Sequence, residues 1–138
     1  MIIDAENQVV GRVAAFAAKH ALLGENIDIV NCEKAMMTGS RKFVLARFKQ
    51  RRNFGVPLQG PYYPRKPEML VKRIIRGMLP YKKEKGEMAL KRIYCYVGVP
   101  AKLQGASVMN VDGADISKVP NHKYITIAEI SKQMGAKV

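Results

Sequence analysis

The chain opens with three apolar residues, Met1-Ile2-Ile3, ahead of Asp4, the pattern of a short buried strand. Residues 10–23 then follow a helical period. At about 100° per residue only Arg12, Lys19 and His20 share a polar stripe, so most of this helix is buried. Its alanines, Ala14, Ala15, Ala17, Ala18 and Ala21, suit close packing on a sheet, and Gly24 is the residue that ends it. Residues 27–32 (Ile-Asp-Ile-Val-Asn-Cys) read as a second strand. Strand, helix and strand within about thirty residues make a βαβ unit, which predicts parallel pairing through a right-handed crossover.

The next segments change character. Residues 41–53 form a helix with N-cap candidates in Thr38-Gly39-Ser40. Val44, Leu45 and Phe48 share one face of it, and cations occupy the others. Residues 54–67 are rich in proline and glycine and read as an extended loop. Pro67 suits the first position of a helix over residues 67–78, with Leu70, Val71, Ile74, Ile75 and Met78 on one side and Lys72, Arg73 and Arg76 on the other. Gly77 is expected to end that helix with positive φ, turning the chain through Leu79-Pro80. A short helix over residues 84–92, weakened by Gly86, leads to a strand over 93–97. Farther on, Thr126 and Glu129 have capping-box spacing for a last helix over 127–134 that ends at Gly135. The expected fold is α/β: one domain over 1–138, with a small, mostly parallel sheet of about four strands, flanking helices and a basic helical and loop extension.

Charge adds the functional direction. Lys and Arg total 24 against 11 Asp and Glu, and the formal net charge is +13. Residues 41–92 alone hold 16 of the basic and 3 of the acidic side chains, so the whole surplus lies mid-chain. A surplus concentrated in this way calls for a polyanionic partner, because a charge that served solubility would be spread over the surface.

Enzymatic chemistry is not legible. The turn after the first strand carries only Gly11 and lacks the spaced glycines of a dinucleotide site. Gly55 and Gly60 have Walker-type spacing, but Pro61 stands where the lysine belongs. His20 and His122 are isolated, and Asp112 and Asp115 read as turn residues. Cys32 and Cys95 read as small core residues, with no zinc or disulfide pattern. A nucleic-acid-processing enzyme would need carboxylates at the basic block, where the only acids are Glu68, Glu84 and Glu87. The expectation is therefore no catalytic residue, metal, cofactor or small-molecule substrate. No apolar run reaches the roughly 18 residues of a membrane span. No basic leader precedes an apolar stretch at Met1, which predicts a cytoplasmic protein with no membrane partner.

The RNA-binding candidates are Arg41, Lys42, Arg47, Lys49, Arg51 and Arg52 on the second helix, and Tyr62, Tyr63, Arg65 and Lys66 on the loop. Lys72, Arg73, Arg76, Lys82, Lys83, Lys85, Lys91 and Arg92 follow. Lys and Arg neutralise phosphates, arginine adds bidentate hydrogen bonds, and tyrosine can stack on an unpaired base. A DNA-compacting protein would carry similar charge, and preference for structured RNA over duplex DNA separates the two.

These residues resemble a known family. Arg76-Gly77-Met78-Leu79-Pro80, then Gly86, Leu90, Ile93 and Tyr96-Val97-Gly98, are similar to the signature of the universal large-subunit ribosomal protein L13 family. Gly11-Arg12-Val13-Ala14 and residues 24–35 are similar to the same family, so the resemblance covers about residues 1–100. Gly60-Pro61-Tyr62-Tyr63 with Arg65 and Pro67 resembles its archaeal and eukaryotic branch, and the short chain favours an archaeal member. The resemblance implies a small α/β domain that binds large-subunit ribosomal RNA, meets neighbouring large-subunit proteins and supports early subunit assembly.

Overall fold

A computed structural model describes residues 1–137. The elements run β1 (Ile2–Asp4), α1 (Val10–Leu23), β2 (Ile27–Val30), β3 (Met36–Thr38), α2 (Arg41–Asn53), α3 (Pro67–Met78) and α4 (Glu84–Lys91). They continue with β4 (Ile93–Cys95), β5 (Tyr124–Thr126) and α5 (Ile127–Gln133). Strands β1, β2 and β4 form a parallel sheet in the order β1-β2-β4, with Ile3 opposite Ile29 and Ile27 opposite Ile93. Those four isoleucines are fully buried. The expected βαβ opening is therefore present.

A second, antiparallel pair joins β3 to β5, with Met37 opposite Ile125. Sequence reading missed it because each strand has three residues, too few for alternation to register. The expected four strands in one sheet are thus three plus a separate pair. Met109 adds a single parallel bridge to Ile3 at the β1 edge.

Strand β2 stops at Val30, two residues before the predicted end. Asn31 takes a left-handed conformation with φ 55°, which a short amide side chain tolerates. Its Nδ2 donates to Asp4 Oδ1 at 2.9 Å. Strand β4 is likewise short. The Gly98 N–H donates to Glu33 Oε2 at 3.0 Å, and the Gly98 carbonyl accepts from the Asn31 N–H, so the chain leaves the sheet there.

The alanine face of α1 packs chiefly on α3, and also on α4. Ala14, Ala17, Ala18 and Ala21 are buried, whereas Ala15 and Leu23 face outward. Small side chains there let two helices approach closely, besides seating the helix near the sheet. Gly24 ends α1 with φ 106°, its N–H donating to the Ala21 carbonyl.

Two glycines exchange the roles expected of them. Gly77 lies inside α3 with no positive φ; the helix runs to Met78 and turns at Leu79. A Cβ on Gly77 would meet nothing within 4 Å, so no strain resides there. Gly86, read as a weak point of its helix, is the position where glycine is required: a Cβ would stand 2.2 Å from the Pro80 carbonyl oxygen. The α3–α4 turn is therefore clamped at Gly86. Met78, expected on the buried side of α3, is exposed at the end of the helix.

The tail completes the core. Val111, Ala114, Ile125, Ile127, Ile130 and Met134 are buried. Helix α5 packs against α3 and α2, and the buried Ser131 hydroxyl donates to the Arg65 carbonyl. Thr126 caps α5 as expected, its Oγ1 accepting from the Glu129 N–H at 3.2 Å. Thr126→Ala is expected to cost about 1 kcal/mol, read as a lower urea midpoint at unchanged m-value.

Candidate nucleic-acid interface

Helix α2 buries only Val44 and Phe48, with Leu45 half-buried, so two turns of apolar contact anchor thirteen residues. Ser40 stands at its N-cap position, but its side chain makes no capping bond. Arg41 and Lys42 sit in the first turn, the wrong end for cations in the helix dipole, and Arg51 and Arg52 in the last, the right end.

From Asn53 the chain enters a loop pinched by two hydrogen bonds, from the Gln59 and Gly60 N–H groups to the Val56 carbonyl. The Gly60–Pro61 peptide is cis. The Tyr62 hydroxyl donates to the Pro57 carbonyl at 2.9 Å while its ring stays exposed, and Leu58 at the loop tip is 94% exposed. Tyr63 turns inward. Its ring meets Phe48 edge-on, with centroids 6.1 Å apart.

The loop thereby sets the Tyr63 ring among arginines. The Arg73 guanidinium lies 4.7 Å from the Tyr63 centroid, and that of Arg51 lies 5.9 Å from it. Arg51 Nη1 also donates to the Tyr63 hydroxyl at 3.3 Å. Arg76 lies 4.8 Å from the Tyr81 centroid, and Lys72 Nζ 5.6 Å from that of Tyr94. Each such contact contributes roughly 0.5–1 kcal/mol at an exposed site, and it orders the cation without neutralising it.

The eighteen candidate residues fall into distinct groups. Arg52 and Arg92 brace the fold: Arg52 donates to the Met134 carbonyl at 3.3 Å and Arg92 to the Ala21 carbonyl at 3.4 Å. Arg41 pairs with Glu129, and Lys91 with Glu87 one turn away. Tyr62 holds the loop and Tyr63 the arginines. Among the described residues no carboxylate pairs with Lys42, Arg47, Lys49, Arg51, Arg65, Lys66, Lys72, Arg73, Arg76, Lys82, Lys83 or Lys85. That surplus repels itself unless an anion covers it.

Tyr81 and Tyr94 belong to this surface and were not among the expected residues. Both were findable: Tyr81 precedes Lys82-Lys83, and Tyr94 occupies the outward position between Ile93 and Cys95. The expected minor features are also placed. His20 bonds Glu25 at 3.0 Å and lies against Phe16, and Asp115 accepts from the Ser117 N–H at 2.8 Å, which holds its carboxyl below the usual range. Cys32 is a buried free thiol, and the neighbouring Cys95 thiol together with burial pushes it far up, so it is a poor nucleophile.

The chain is thus a small α/β domain with a parallel three-stranded sheet and a set of cations that lack carboxylate partners among the described residues. The family model for Ribosomal protein L13 matches residues 1–102. The chain is 41% identical over 136 residues to large ribosomal subunit protein uL13 of Methanococcoides burtonii, covering 99% of this chain and 98% of that protein. It is 44% identical over 142 residues to the uL13 protein of Methanococcus maripaludis, with the same shares covered. For that of Methanosarcina barkeri the figure is 42% over 137 residues, again with 99% and 98% covered. The chain belongs to the ribosomal protein L13 family, in its archaeal form. It is a ribosomal protein, a structural component with no enzymatic role.

Proposed function

We propose that this protein, acting as one domain, binds large-subunit ribosomal RNA through residues 41–92 and supports early assembly of the subunit. The observation that carries this is the set of cations laid over aromatic rings without carboxylate partners. Phosphates supply the missing charge, and release of their counterions drives association. The family supports the same reading, since its relatives are named large ribosomal subunit proteins. Neighbouring ribosomal proteins and a place in cytoplasmic ribosomes belong to this proposal.

Tagged protein is expected to co-sediment with large subunits at physiological salt, and its binding to large-subunit RNA should weaken as salt rises. It should also prefer large-subunit RNA over duplex DNA in competition. Failure to co-sediment at physiological salt, or equal competition by duplex DNA, would overturn the reading. The assembly role predicts that subunits reconstituted without the protein stall as lighter particles, and normal sedimentation would refute that part.

A further inference from the structure

Between α2, the loop and α3 lies an open groove of about 650 Å³. That is within the roughly 300–1,000 Å³ of pockets that hold small organic ligands. Tyr63, Tyr81, Phe54 and Ile74 give it apolar walls, and Arg51, Arg73 and Arg76 stand among them. Among the described residues no carboxylate lines it. A second groove of about 370 Å³ shares Tyr63, Arg73 and Arg76 with the first and continues toward Lys72 and Met69.

We infer that the first groove receives one unpaired nucleotide of the RNA, its base against the tyrosine rings and its phosphate on the arginines. The inference rests on the RNA-binding reading and adds to it a specific contact. A duplex offers phosphates and a shallow minor groove to a surface, and has no free base face to place in a concave aromatic site. A splayed-out base has two such faces, and arginines at the same site meet its phosphate. An acidic peptide would satisfy the arginines but leave the rings without a planar partner.

Gly77 supplies a separate observation. It is helical, needs no positive φ, and has no neighbour that a Cβ would strike. Glycine is a poor helix residue, so neither packing nor backbone explains it. Gly77 lines the groove, and the lack of a side chain keeps that space open.

Gly77→Leu therefore tests the pocket without removing a cation. The full-length variant is expected to be at least as stable as the wild type. Its affinity for a large-subunit RNA transcript should fall roughly 5- to 150-fold, the equivalent of one lost base stack. The salt dependence of binding should stay unchanged, because no phosphate contact is lost. In reconstituted large subunits, ultraviolet crosslinking and mass spectrometry should find a nucleotide adduct on Tyr63 or Tyr81 that disappears in the variant. Tyr81→Leu, which removes a wall and no charge, should behave alike and covers the case in which Gly77→Leu misfolds. Wild-type affinity and adducts in both variants would overturn the pocket and leave general RNA binding standing. Crosslinks from the groove to protein instead of RNA would also overturn it. A wild-type protein that does not bind the transcript would overturn both readings.

Discussion

Gly86→Ala is expected to destabilise the protein by roughly 1–3 kcal/mol, although alanine is the better helix former by about 1 kcal/mol. The alanine methyl would stand 2.2 Å from the Pro80 oxygen, 2.3 Å from the Pro80 carbonyl carbon and 2.9 Å from the Tyr81 nitrogen. These are backbone atoms and cannot rotate aside. The Gly86 N–H also donates to the Lys83 carbonyl, so the start of α4 and the turn before it must shift together. That shift would carry Tyr81 away from Arg76 and tilt Ala89, which is fully buried. Gly77→Ala is the control. It also lies in a helix, meets open space, and should stabilise by about 0.5–1 kcal/mol. Opposite shifts of the urea midpoint for the two alanines are the expected result. Equal shifts would show that helix propensity governs both sites and that the Pro80 contact relaxes without cost.

Charge reversal at Arg47 and Arg51 to glutamate is expected to weaken binding to large-subunit RNA at least about tenfold. The logarithmic slope of affinity against salt should drop by about 2 if each cation meets one phosphate. Both residues are exposed and neither has a carboxylate partner among the described residues, so reversal breaks no ion pair. Arg51 does give up its contacts with Tyr63 and Phe48, a loss of roughly 1 kcal/mol. The melting temperature should therefore move only slightly. Lys102 and Lys118 are also exposed and lie outside the basic segment, and their reversal should change affinity far less. Equal losses from the two double variants would mean that net charge, and no particular face, governs the affinity.

What the sequence determined by itself is local. Period and end signals placed α1, α2 and α3 with the bounds observed, because a helix carries its signal in contiguous residues: the alanine run with Gly24, the cations around Val44 and Phe48, and Pro67 at the head of an amphipathic stretch. The Thr126 cap was legible for the same reason, since donor and acceptor lie three residues apart. The basic segment was legible from composition alone. Only the tertiary structure decided the rest. The β3–β5 pair joins segments from opposite ends of the chain, and three-residue strands carry no period. Asn31 and Gly98 shorten two strands through bonds to Asp4 and Glu33, partners that no spacing announces. The roles of Gly77 and Gly86 cannot be read from glycine itself; they depend on whether another backbone passes within reach of an absent Cβ. The same holds for the cationic face. The sequence counted its arginines, but which of them brace a carbonyl, as Arg52 and Arg92 do, and which lie open over a tyrosine, as Arg73 and Arg76 do, is fixed by distance across the fold.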